Sequence, residues 1–156
     1  MNLDYYLPHQ AEHLGLIRIL ASEKGLCRVD FVEAMAEPAT PSDLTATACA
    51  QLHAYFNHRL QHFTLPLDMG GTAFQQQVWQ ALQTIPYGHT CSYADVSQHI
   101  QRPKAQRAVG AANGKNPISI IVPCHRVIGK SGQLTGYSGG LNIKAWLLQH
   151  EQQMMG

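Results

Sequence analysis

The hydrophobic rhythm of this chain changes at Met69-Gly70-Gly71, and that change limits what the chain can fold into. Before it, residues 15–21 form an apolar run. Residues 26–32 alternate, with Cys27, Val29 and Phe31 set against Arg28 and Asp30. Alternation with period two marks a half-buried strand, and Glu23-Lys24-Gly25 supplies a turn, so a hairpin is predicted. Pro38 to Ser42 is a linker. Ser42 then caps a helix whose apolar positions, Leu44, Ala48, Leu52, Tyr55 and Phe56, follow helical spacing. Residues 63–67 are a further strand candidate.

After the glycines the pattern is helical and richly capped. Thr72 with Gln75 forms a capping box, and Phe74, Val78, Ala81, Leu82 and Ile85 give that helix one apolar face. Pro86 and Gly88 stop it. Ser92 with Asp95 opens a short helix to about Ile100, and Pro103 suits the first turn of a third, whose face is small: Ala105, Ala108, Val109 and Ala112. Two short helices so closely joined are a helix-turn-helix candidate, although an alanine-rich helix packed in a small core reads the same way. A last helix has Leu141, Ala145, Leu147 and Leu148 inward. Glu151 shares that face, either paired or frayed into water. The prediction is an α/β (α+β) protein, with a sheet-plus-helix domain over residues 1–69 and a helical domain over residues 70–156.

Composition narrows the function class. The chain has 156 residues, of which 45% are hydrophobic. That is enough for one ordinary domain or two small ones. No apolar stretch approaches the ~18 residues a membrane span needs, and the start Met-Asn-Leu-Asp-Tyr-Tyr carries no signal-like pattern, so a soluble cytoplasmic protein is expected. The four cysteines form no C-x-x-C pair, His9, His13, His53, His58 and His62 sit in otherwise polar stretches that read as solvated surface, and no cofactor is expected. Charge is uneven. Residues 1–69 carry four Lys/Arg and eight Asp/Glu, and residues 70–156 carry seven and two, giving −4 and +5. Such asymmetry suggests that the second half meets a polyanion, although a solvated basic face would look similar.

The chemistry concentrates in Ile121-Val-Pro-Cys-His-Arg-Val127. The β-branched run before Pro123 reads as a buried strand that the proline ends, leaving Cys124 where regular structure stops. Beside it, His125 is a base able to take the thiol proton. A free thiol near pKa 8.5 is a few per cent ionised at neutral pH, and about two units of lowering, roughly 2.7 kcal/mol, would make it a standing thiolate. A histidine held by a buried glutamate can supply that preference.

Residues 72–151 resemble the O6-alkylguanine-DNA alkyltransferases. The matching segments are Phe74-Gln-Gln-Gln-Val-Trp79, Gly88 to Tyr93, Arg107-Ala-Val-Gly110, Asn116-Pro117, Ile121 to Val127, Tyr137-Ser-Gly-Gly-Leu141, Trp146-Leu-Leu and His150-Glu151. The resemblance implies a ribonuclease H-like first domain and a winged-helix-like second domain with a helix-turn-helix. It implies a monomer that binds double-stranded DNA through the minor groove and removes one alkyl group from O6-alkylguanine, irreversibly. Relatives with tryptophan in place of the cysteine bind damage without transfer, so the cysteine here implies the active form.

The same resemblance implies the roles. Cys124 accepts the alkyl group. His125 is the base, working through water and polarised by Glu151. Asn116 braces the turn, and Tyr137 protonates the leaving guanine. Ser138 offers a backbone N–H to O6, while the carbonyls of Cys124 and Val127 accept from the guanine amino group. Arg107 enters the base stack, and Tyr93 turns the phosphate.

Some relatives hold zinc in the first domain. Ser22 and Cys27 fall near two of those ligand positions but complete no set, so no metal is expected. Asn113 stands where some relatives have a larger apolar residue. Two rival readings stay open: a DNA-binding module without chemistry, and a multiple-turnover cysteine hydrolase or redox enzyme using Cys124, His125 and Glu151. Whether O4-alkylthymine is accepted is also open.

Overall fold

The computed structural model describes residues 1–137 and 139–155, and it divides into two compact units, Met1–Gly70 and Gly71–Gly156. In the first, strands β1 (Asn2–Tyr6), β2 (Leu16–Ala21) and β3 (Leu26–Val32) form an antiparallel sheet in the order β1-β2-β3. The β2–β3 hairpin is the one the alternation predicts. Ile17, Ile19, Ala21, Leu26 and Val29 are buried, as are Ala48, Leu52, Tyr55 and Phe56 of helix α1 (Asp43–Phe56), which packs against β1 and β2. Ser42 and Thr45 cap α1 reciprocally.

Two elements of this unit depart from expectation. Strand β1 has no strong alternation and buries only Leu3 fully; it forms because β2 offers an open edge and Thr40 clamps Leu3 from the other side, at 2.7 and 2.9 Å. Residues 63–67 make no strand, only a single parallel bridge between Leu26 and Leu67. Leu26 N donates to the Pro66 carbonyl, but proline has no N–H to continue a ladder.

The second unit contains α2 (Ala73–Leu82), α3 (Tyr93–His99), α4 (Gln106–Gly114) and α5 (Leu141–Met155), with a short parallel pair, β4 (Cys91–Ser92) and β5 (Val127–Ile128). Both expected capping boxes form, Thr72 with Gln75 and Ser92 with Asp95. Trp79 Nε1 donates to the Ala112 carbonyl at 2.9 Å, tying α2 to α4.

The α3–α4 connection is longer than the sequence suggests. Pro103 lies ahead of α4, whose cap is Ala105. Gln101 takes a positive φ of 61°, and Ser97 Oγ donates to the Arg102 carbonyl, which together spread the turn over residues 100–105. Helix α4 turns Val109, Ala112 and Asn113 inward and leaves Ala108 exposed. Helix α5 is rotated from its expected face: Ile143, Lys144, Leu147, His150 and Glu151 are buried, while Leu141 and Ala145 are exposed. Hydrogen bonds made by Lys144 and Glu151 set that rotation.

Ser92→Ala removes the oxygen that accepts from Asp95 N at 3.1 Å. Loss of this cap should lower the unfolding free energy by about 1 kcal/mol, read as a lower urea midpoint at unchanged slope.

Candidate active site

The expected strand ahead of Pro123 is a braced turn. Asn116, buried, spends its whole amide on it: Nδ2 donates to Ile118 O at 3.2 Å and Val122 O at 2.8 Å, and Oδ1 accepts from Ile118 N at 3.0 Å. Val122 N returns to Ile118 O at 3.1 Å. Ile120 is driven to φ 71°. A β-branched residue avoids that region at a cost of order 1–2 kcal/mol, which the surrounding bonds offset. Pro123 follows, and Cys124–Arg126 form a 3-10 turn that delivers three consecutive side chains to the interior.

Around Glu151 the buried groups pair closely. His125 Nε2 lies 2.7 Å from Glu151 Oε2. Arg126 grips the same carboxylate from two nitrogens, Nε to Oε1 at 2.9 Å and Nη2 to Oε2 at 3.1 Å, and its Nη1 donates to the Ile85 carbonyl at 2.7 Å. Gly88 N donates to Oε1 at 3.3 Å. Burial alone would raise the Glu151 carboxyl; the bonds and charges from His125 and Arg126 outweigh it and hold the group well below the usual carboxylate range. Burial pushes the His125 imidazole down, more than Glu151 pushes it up, and Arg126 and Lys144 add to the lowering. Where the imidazole is neutral it gives Glu151 a hydrogen bond alone, and Arg126 supplies a permanent charge beside the carboxylate.

The thiol departs from expectation. Cys124 is only 3% exposed, and burial pushes its pKa up, against the opposing pull of Asn116 and Lys144. It rests as a thiol, not a thiolate, because desolvation outweighs the nearby donors. Among the described residues no hydrogen bond joins its sulfur to His125. His125 Nδ1 is buried without a hydrogen-bond partner, and so is the Tyr137 hydroxyl. Burial first, then Cys124, pushes that phenol well above its ordinary value, so it remains a donor. Lys144, fully buried, donates to Val127 O at 2.6 Å and Thr135 O at 2.7 Å. One lone pair of the Val127 carbonyl is thereby taken.

Of the residues singled out by sequence, Cys124, His125, Glu151, Asn116, Tyr137 and Val127 come together. Tyr93 and Arg107 stand apart from this buried cluster. Tyr93, first in α3, shares a 2.8 Å hydrogen bond with Thr135 Oγ1. Arg107 is exposed on α4, beside exposed Ala108 and Ala111, and among the described residues it makes no hydrogen bond or ion pair. Ser138 lies outside the described residues. Asn113 faces inward, its Nδ2 3.4 Å from the Cys124 carbonyl. In the first unit Ser22 Oγ donates to Asp68 at 2.6 Å, and among the described residues no His/Cys/Asp/Glu cluster could hold a metal ion. Sequence reasoning missed Arg126 and Lys144. Arg126 adjoins His125 in the chain, and Lys144 sits one helical repeat, seven residues, before Glu151 on α5; those spacings were the available signals.

Residues 73–153 match the DNA binding domain of the 6-O-methylguanine DNA methyltransferases, and residues 11–69 match their ribonuclease-like domain. The chain belongs to this family. Among curated 6-O-methylguanine DNA methyltransferase relatives, the methylated-DNA–protein-cysteine methyltransferase of Methanosarcina barkeri is 46% identical over 145 residues, 89% of this chain and 92% of that protein. The one from Mycolicibacterium paratuberculosis is 47% identical over 145 residues, 90% and 88% of the two chains. Among solved members, Mycobacterium tuberculosis OGT in complex with DNA superposes with a TM-score of 0.87 at 43% identity, covering 98% of this chain and 94% of that one.

Acid should destabilise the protein through His125. Its folded value lies below its unfolded one, so the unfolded chain takes the proton first. The contribution is complete above about pH 6.5 and is lost as pH falls below that. Glu151 acts with the same sign at lower pH. The thermal midpoint should fall from pH 7 to pH 5, and less steeply in His125→Gln, which cannot titrate.

Proposed function

We propose that this family member repairs DNA by direct reversal, moving one alkyl group from O6 of an alkylated guanine in double-stranded DNA onto Cys124. The observation that carries this reading is the buried Cys124, which the chain joins to a histidine whose Nδ1 has no hydrogen-bond partner and which interacts electrostatically with the unpartnered Tyr137 phenol. A thiol, a base and an acid in this combination suit a displacement in which a neutral purine leaves.

The steps follow from the groups present. Cys124 gives its proton to His125, Nδ1 being the nitrogen that Glu151 does not occupy, through water. The sulfur electron pair attacks the alkyl carbon, and the bond to O6 breaks. Tyr137 protonates the departing guanine, and the proton held on His125 balances the phenolate. Asn116 keeps the turn in shape. Val127, through the free lone pair of its carbonyl, and Ser138, through its N–H, orient the base. The thioether resists hydrolysis, so each molecule acts once and needs no cofactor.

A buried acceptor reaches an alkylated base only when the nucleotide is swung out of the stack, at a few kcal/mol. Arg107, exposed and unpaired among small residues, is suited to fill the gap, and Tyr93 to turn the phosphate. The exposed face of α4 is slim enough for the minor groove, where little base identity is readable. Binding is then largely sequence-independent and weakens steeply with salt. In this reading residues 70–156 hold both the DNA surface and the acceptor, and the protein works as a cytoplasmic monomer. All four cysteines are free, and no described helix is long and apolar enough to cross a membrane.

Incubation with O6-methylguanine DNA should add one methyl group to Cys124 by mass spectrometry and stop at one event per molecule. An unmodified protein that still binds would favour the sensor reading, and continued turnover the hydrolase reading. Cys124→Ala should keep DNA affinity and lose all transfer. Arg107→Ala should slow transfer from duplex DNA more than transfer from free O6-benzylguanine; equal losses on both substrates would remove the wedge role.

A further inference from the structure

Arg126 is buried and makes three hydrogen bonds. Two go to Glu151, at 2.9 and 3.1 Å, and one goes to the Ile85 carbonyl at 2.7 Å. Its guanidinium also lies 5.7 Å from the Tyr87 ring centroid. Arg126 and His125 share one carboxylate oxygen, Oε2. Whichever cation neutralises Glu151 determines what His125 can do. If His125 is that cation, both its nitrogens carry protons and it cannot take another. If Arg126 is, His125 gives only its Nε2–H and keeps a lone pair on Nδ1.

We propose that Arg126 is a positioning residue for alkyl transfer: by neutralising Glu151 it keeps His125 a neutral base whose Nδ1 can receive the Cys124 proton. The inference rests on the transfer reading above and adds to it the group that sets the protonation state of the base. The fixed fork of a guanidinium suits this task, since it never deprotonates and takes both carboxylate oxygens together. Its third bond, to Ile85, fixes the fork against the end of the α2 segment.

The charged and titratable groups facing His125 agree with it. From α5 come Glu151, which raises the imidazole, and Lys144, which lowers it; from its own turn comes Arg126, which lowers it; burial lowers it most. The Tyr87 phenol, pushed up to about 12 by burial and then by Glu151, stays neutral and offers Glu151 no charge. Lys144 is committed to the Val127 and Thr135 carbonyls. Arg126 holds its permanent charge against Glu151 from two nitrogens.

The test is the single-turnover transfer rate against pH with free O6-benzylguanine, for the intact protein, Arg126→Gln and Arg126→Lys. Removal of the charge in Arg126→Gln should move the acidic limb upward by about one pH unit, cutting the rate about tenfold at pH values below both limbs, with recovery at higher pH. Arg126→Lys keeps the charge and should hold the limb where the intact protein has it. A rate lowered by the same factor at every pH, or a limb moved equally by both substitutions, would overturn the proposal. Should Arg126→Gln fail to fold, imidazole nitrogen NMR of the intact protein decides: a neutral Nε2–H tautomer at pH 7 is expected, and an imidazolium there would sink the idea. An intact protein that accepts no benzyl group would remove the transfer reading itself, while the NMR result would still judge the protonation state.

Discussion

The carboxylate of Glu151 is the point on which the second unit turns. An ionised group cannot stay in an apolar interior alone; it must be paired and hydrogen-bonded, or it will take up a proton. Here donors from His125, from two nitrogens of Arg126 and from the Gly88 backbone converge on two oxygens. These donors come from the 3-10 turn and from the segment between α2 and β4, while the acceptor sits on α5. One charge therefore fixes three stretches of chain that share no local pattern. A buried ion pair adds little net stability over apolar packing, but losing one partner strands the other, at a cost of about 3–5 kcal/mol. What the cluster secures is geometry.

The same requirement explains which parts of the structure were legible in the sequence. Capping boxes are local, so Ser42, Thr72 and Ser92 marked three helix starts correctly. The β2–β3 hairpin was legible because one face of each strand is buried. Features set at a distance were not. Ile120 to Val122 look like a strand by composition, yet the amide of Asn116 bends them into a turn. On α5, Leu147 and Glu151 lie inward as expected, but Leu141 and Ala145 do not, because Lys144 turns inward toward partners outside the helix. Strand β1 exists because β2 has an edge to fill. The Cys124–His125 pair was legible as chemistry, and the family pattern brought Tyr137, Asn116 and Glu151 with it. Arg126 and Lys144 escaped notice because charged residues in a sequence read first as surface.

Burial of Cys124 conflicts at first sight with the nucleophile's role proposed for it, and the conflict is instructive. A standing thiolate would react with any soft electrophile or oxidant that reached it, which a protein used once per lesion cannot tolerate. A buried thiol, pushed up by desolvation, is inert at rest. Its proton has a destination only if His125 is neutral and Nδ1 is open, and the network of Glu151 and Arg126 favours both conditions. Asn116 and Lys144 already favour the charged sulfur in part, so the remaining cost of ionisation falls within the transfer step, after the alkyl carbon has been brought into line. Reactivity is then tied to the arrival of an extruded base and not to the resting charge of the sulfur. On the proposed mechanism, selectivity for DNA damage comes from the same desolvation that keeps the thiol inert at rest.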